Sequence, residues 1–109
     1  MTNWRLFVAL EFGDYEQAAA LSEQIDPTRI VAPTRQANYH VNTARALAHV
    51  RGRRDDAVRS LRRAEVISAD KVVRNPVARD LLSELLARAR HDATGCELRG
   101  MAYRAGLPV

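Results

Sequence analysis

Two stretches, Gly13-Asp14-Tyr15-Glu16-Gln17-Ala18 and Gly52-Arg53-Arg54-Asp55-Asp56-Ala57, share one layout. Each has a glycine, then a polar run with acids, then an alanine five residues after the glycine. Glycine accepts the left-handed backbone that a sharp corner between two helices requires. Acids favour the start of the next helix, where the macrodipole is positive. Alanine is small enough for that helix to come close to its neighbour. The two corners stand 39 residues apart and predict two helical hairpins.

The rest of the chain agrees with helices. A first helix is expected over about Asn3 to Phe12, capped by Thr2 or Asn3, with Leu6, Ala9 and Leu10 inward. Asp14 caps a second, and Gln17 stands where a capping box places its partner. Ala18, Leu21, Ser22 and Ile25 follow at helical spacing, and Asp26-Pro27 stops the run. Residues 27–33 read as a loop. Thr34 is expected to cap a third helix reaching about Arg51, in which Ala37, Val41, Ala44 and Ala48 mark one face. A fourth helix, about Arg54 to Ser68, turns Ala57, Val58, Leu61, Ala64 and Ile67 inward. Asn75-Pro76 opens a fifth, with asparagine at the cap and proline in the first turn. Its stripe from Val77 to Ala89 is the most amphipathic of the chain. Thr94-Gly95-Cys96-Glu97 fits a capping box that starts a sixth, ended by Gly106 and Pro108. No segment alternates long enough for a strand; Val72-Val73 is too short. The expectation is one all-α domain over 1–109, in antiparallel pairs at 1–26, 34–69 and 75–106.

Composition narrows the function classes. The 109 residues are 47% hydrophobic and 28% charged, which is ordinary for a folded chain. Aromatics are only 6%, so Leu, Val, Ile and Ala must build the core. Seventeen basic residues face thirteen acidic ones, and Lys71 is the one lysine. Residues 1–37 hold three arginines and five acids, so the positive balance lies beyond them. A lone cysteine, Cys96, excludes an internal disulfide. Trp4 to Phe12 is too short and too charged for a signal peptide, and no apolar run nears the roughly 20 residues of a membrane span. A cytoplasmic setting is expected.

The corner Gly13-Asp14-Tyr15-Glu16-Gln17-Ala18 resembles the inter-helix turn of a tetratricopeptide repeat. Gly52 to Ala64 is similar, with Ala57, Leu61 and Ala64 at the family's packing positions in the second helix. The spacing of 39 exceeds the regular repeat of about 34, with the excess in the Pro27–Pro33 loop. The family's closing proline is missing, and Ala69 stands near its place. The resemblance implies a short, degenerate, right-handed array of about six helices. A second resemblance is narrower. Arg74-Asn75-Pro76-Val77-Ala78-Arg79-Asp80-Leu81-Leu82, with Glu97-Leu98-Arg99-Gly100-Met101-Ala102 and Gly106-Leu107, is similar to the C-terminal region of actinobacterial XRE-type transcriptional regulators. That implies a sensor or dimerisation region without its helix-turn-helix reader.

Candidate sites follow from these faces. If Ala37, Val41, Ala44 and Ala48 point inward, then Tyr39, Asn42, Ala46 and His49 line another side of the third helix. In the repeat family the equivalent stripe lines a groove for a peptide or a partner helix. The other reading has Tyr39 filling a gap between helices. Arg51, Arg53, Arg54, Arg59, Arg62 and Arg63 form a basic cluster. Arg54, Arg59, Arg62 and Arg63 are the candidate phosphate contacts should the chain bind nucleic acid. The plainer reading is a solvated face paired with Asp55, Asp56 and Glu65, and no aromatic residue interleaves there to stack bases. Leu98 to Leu107 mimics half of a helix-turn-helix but reads better as a helix capping the fifth. The fifth helix's apolar stripe calls for cover by the sixth helix or by a second copy of the chain.

His40, His49, His91 and Cys96 lack the ligand spacing of a zinc site. There is no phosphate loop, dinucleotide fingerprint or serine nucleophile motif. No cofactor, metal or catalysis is expected. The expectation is a protein- or peptide-binding module, with nucleic-acid binding as the alternative.

Overall fold

The computed structural model describes residues 2–108. Among them are seven α-helices and no strand: α1 (Thr2–Glu11), α2 (Tyr15–Glu23), α3 (Pro33–Ala48), α4 (Arg54–Ile67), α5 (Asp70–Val73), α6 (Pro76–Ala87) and α7 (Ala93–Arg104). A single 3-10 turn, Pro27–Arg29, lies in the linker before α3. The Thr2 or Asn3 cap expected for α1 falls outside the described side chains.

Both corner glycines carry positive φ, 74° at Gly13 and 79° at Gly52. Each stands two residues before its next helix, and Ala18 and Ala57 are both fully buried. Upstream the corners differ. At Gly13 the Asp14 N–H donates to Ala9 O and the Gly13 N–H to Leu10 O, so the glycine ends α1 directly. Asp14 then accepts from the Gln17 N–H. Its own N–H is already spent on Ala9, so the reciprocal half of the box is not formed. At Gly52 the helix has stopped four residues earlier, and Arg53 N–H closes a separate turn on Val50 O.

Other boundaries shift for local reasons. Pro33, not Thr34, opens α3, with Ala32 at the cap position and no side-chain cap. Proline needs none of the N–H partners that a cap supplies. Asp92, not Thr94, caps α7 by accepting from the Gly95 N–H at 2.7 Å. A Cβ on Gly95 would lie 1.8 Å from the Arg90 carbonyl oxygen, so this glycine serves a close backbone approach. Glu97 is drawn instead to Arg62. The one-turn α5 was not expected. It forms because Val72 fills fully buried space in the core shared by α3, α4, α6 and α7.

Helix α3 is the centre of the molecule. Its Ala37–Val41–Ala44 face belongs to a core with Val58 and Leu61 of α4, Leu81, Leu82 and Leu85 of α6, and Leu98 and Met101 of α7. Its Tyr39–Ala46–Leu47 side belongs to a second core with Leu6, Ala9 and Leu10 of α1 and Ala18 and Leu21 of α2. The α1–α2 pair thus docks on α3, whereas α7 covers both α4 and α6. The Ala78–Leu81–Leu82–Leu85 part of the α6 stripe is consumed inside the chain, while Val77 at its start stays exposed.

Polar groups tie the second half together. Arg79 donates to the carbonyls of Val73 and Ala105, at the ends of α5 and α7. Glu65, only 6% exposed, accepts two bonds from Arg104 at 2.9 Å and one from Arg62.

Candidate interaction surfaces

With two flanks of α3 buried, a narrow strip is left to solvent. Asn38, Asn42 and Arg45 are partly exposed and His49 is exposed, at spacings of 4, 3 and 4. Two expected groove residues, Asn42 and His49, lie on this strip. The other two do not. Ala46 is fully buried and Tyr39 is 9% exposed, both under the α1–α2 pair. The Tyr39 hydroxyl donates to the Ser22 carbonyl at 2.8 Å, which makes it an inter-helix strut rather than a contact for a guest. The expectation missed by about half a helix width because it allowed α3 only one buried face. Asn38 and Arg45, spaced at four and three residues from Asn42, are the members that it passed over.

The lower end of the strip faces α6. The His49 ring stacks on Tyr15 with centroids 4.0 Å apart. Its Nδ1 lies 2.9 Å from the Arg45 carbonyl. A carbonyl can only accept, so Nδ1 carries the hydrogen. Nε2 lies 4.0 Å from a Glu84 carboxylate oxygen. Asp80 and Glu84 complete a shallow cleft of about 260 Å³ with Arg45 and His49.

The arginine cluster is divided by the fold. Arg54 reaches the Arg88 carbonyl at the end of α6, at 2.6 Å. Arg62 turns to Glu65 and to Glu97 of α7. Arg53 and Arg59 both bond Asp56 at 2.6 Å, and Arg53 also reaches Glu23 on α2. The Arg53 bond, with lesser help from the Arg59 charge, holds the Asp56 carboxyl below its ordinary value. Bonds to Asp56 and then Glu23 raise the Arg53 guanidinium above its own. Three of the four candidate phosphate contacts thus donate to protein oxygens in three directions. Arg63 remains exposed beside a cleft between α2, α3 and α4.

A third surface lies on α1. Trp4 is 66% exposed, Phe7 43% and Phe12 84%, in a chain with only six aromatic residues. Trp4 and Phe7 stack with centroids 5.9 Å apart. A groove of about 580 Å³ runs past Trp4, Val8, Phe12 and Leu21. The signal was present in the sequence. With Leu6, Ala9 and Leu10 turned inward, Trp4, Val8 and Phe12 fall on the opposite face at spacings of four. A stripe of large apolar residues on both sides of one short helix means that one side lacks a partner within the pair.

Cys96 and His91 are exposed and His40 is buried. Among the described residues no three His, Cys, Asp or Glu side chains gather as metal ligands would, and no helix is long and apolar enough to cross a membrane. No known family, characterised protein or solved structure gives a match to this chain.

Proposed function

We propose that this chain is a non-enzymatic protein-interaction module whose docking surface is the outer face of α1, and that the occupant of that face is a second copy of the chain. The single observation that carries the reading is the aromatic exposure of Trp4, Phe7 and Phe12. Together they offer on the order of 400 Å² of apolar surface per copy, the size of the largest patch on a typical soluble protein, which is often a functional one. The spacing of the stripe favours self-pairing. Trp4 and Phe12 lie four residues either side of Val8. Two α1 helices packed antiparallel about Val8 set Trp4 of one copy against Phe12 of the other, and Arg5 beside that same Phe12 ring. A patch of this size lies at the small end of interfaces, so the dimer is weak and reversible rather than obligate.

The rest of the reading is consistent with such a module. The order of packing, with α1 and α2 on α3, α3 against α4, and α6 against α7, is compatible with successive helix pairs of a short tetratricopeptide-like array. Dimerisation is one of the two roles, with sensing, that the resemblance to XRE-type regulators implies for such a region, within a cytoplasmic protein. Arg54 and Arg62 are turned to the end of α6 and to Glu65 and Glu97, which speaks against nucleic acid as the principal partner.

Light scattering over a concentration series tests the proposal. Wild type is expected to move from 12.2 kDa towards twice that mass as concentration rises. Phe12→Glu, at a position 84% exposed, is expected to stay monomeric with an unchanged circular dichroism spectrum. A wild type that stays monomeric at millimolar concentration ends the proposal.

A further inference from the structure

The cleft between α2, α3 and α4 has features that the α1 surface does not explain. Its α4 wall carries Arg59, Ser60 and Arg63, its floor is Tyr39 and Thr43 of α3, and Glu23 closes the α2 side. It encloses about 230 Å³, room for several water-sized groups of about 30 Å³ each. Thr43 is only 8% exposed, and its hydroxyl has no hydrogen-bond partner. Ser60, 4% exposed, lies along the same cleft.

The charges are not balanced. Glu23 and Asp56 are both engaged by Arg53, and Asp56 takes one N–H of Arg59 as well. Arg59 keeps its other guanidinium donors, since arginine carries five. Among the described residues Arg63 has no carboxylate within ion-pair distance. Its charge reaches His40, whose pKa is lowered first by burial and then by Arg63. A neutral imidazole does not neutralise Arg63. The cleft therefore has a surplus of donors and of positive charge, together with hydroxyls able to give or take a hydrogen. A ligand matched to these groups is anionic and rich in acceptor atoms.

We infer that this cleft binds a phosphate-type oxyanion, gripped by the Arg59 and Arg63 guanidiniums above the Thr43 and Ser60 hydroxyls. Guanidinium forks match phosphate oxygens in pairs, which a single carbonyl or hydroxyl ligand would not use. The ligand is either free phosphate or the phosphate group of a small monoester. The inference is independent of dimerisation, because no residue of the outer α1 face lines this cleft.

The test titrates the full chain with inorganic phosphate at constant ionic strength, read by amide chemical shifts. Saturable shifts are expected at Thr43, Ser60 and Arg63, with a dissociation constant on the order of millimolar. Arg63→Gln is expected to weaken binding about tenfold, the equivalent of one charge-assisted hydrogen bond. Arg51→Gln, at an exposed position outside the cleft, leaves it unchanged. Thr43→Val preserves shape, raises the thermal midpoint by removing the unpartnered hydroxyl, and still weakens phosphate binding. Phenyl phosphate in the second arm separates the sources: tighter binding than phosphate assigns the anion to a monoester, and equal or weaker binding to the free ion. Absence of saturable shifts up to about 50 mM overturns the inference. So does an equal loss in Arg51→Gln and Arg63→Gln, or a stabilised Thr43→Val with undiminished binding.

Discussion

Leu6 in α1 and Leu82 in α6 are both almost fully buried, but their surroundings differ. Leu82 sits in a core built from α3, α4, α5, α6 and α7, closed by the Glu65–Arg104 pair and by Arg79 on two helix-end carbonyls. Leu6 sits in an alanine-rich layer, where α1 and α2 lean on α3 and little else. Ala9, Ala18, Ala19 and Ala46 bring those helices close, but each contributes little area. The aromatic residues Trp4, Phe7 and Phe12 point the other way, to solvent. The body buries most of its leucines in one large core, whereas the first pair buries Leu6, Leu10 and Leu21 and leaves Trp4, Phe7 and Phe12 outside. A layer attached by one side is also the part expected to open first, since local stability follows local burial.

Paired core truncations give the largest test of this contrast. Leu82→Ala is expected to cost about 3–5 kcal/mol and to lower hydrogen-exchange protection throughout the chain. Leu6→Ala is expected to cost about 2–3 kcal/mol and to expose chiefly the α1 and α2 amides. Equal global effects would erase the distinction between layer and body. A smaller effect sharpens where the two meet. Tyr39→Phe removes the bond from the Tyr39 hydroxyl to Ser22 O and is expected to cost about 1 kcal/mol in urea denaturation. The loss of protection should be confined to α1, α2 and the adjoining turn of α3. An equal loss in α6 would show that the strut serves the whole molecule.

The smallest expected effect concerns acidity. Burial, helped by Arg63, holds the His40 pKa below its ordinary 6.5. The folded chain therefore binds this proton less readily than the unfolded chain. The stabilisation from a neutral His40 is complete above pH 6.5 and is lost as pH falls through the lowered folded value. Thermal midpoints from pH 7.5 down to 5 should fall more steeply for wild type than for His40→Gln. Parallel curves would mean that His40 accommodates its charge in the folded state.

The comparison also explains what could be read in advance. Gly13 and Gly52, with Ala18 and Ala57 five residues on, marked both corners correctly because positive φ and close approach are demands that few residues meet. Asn75-Pro76 and the Leu81–Leu82–Leu85 stripe were legible for similar local reasons. The strip on α3 was legible only by half. Asn42 and His49 were found, but Tyr39 and Ala46 were placed in the open because a stripe read from one helix does not reveal how many neighbours that helix will have.

Composition, corner residues and periodicity by themselves determined that this chain is helical, where its two glycine corners fall, and which leucines of α4 and α6 avoid water. These are properties of a few consecutive residues, and steric and hydrogen-bonding rules act at that range. The tertiary structure decided the rest: that α3 is buried from two sides, that Arg53, Arg54 and Arg62 reach three different helices, that α1 keeps an aromatic face uncovered, and that the unpartnered Thr43 lies in one cleft with Arg63. Each depends on residues far apart in sequence meeting in space, and their positions are set by how whole helices pack, not by the spacing within any one of them.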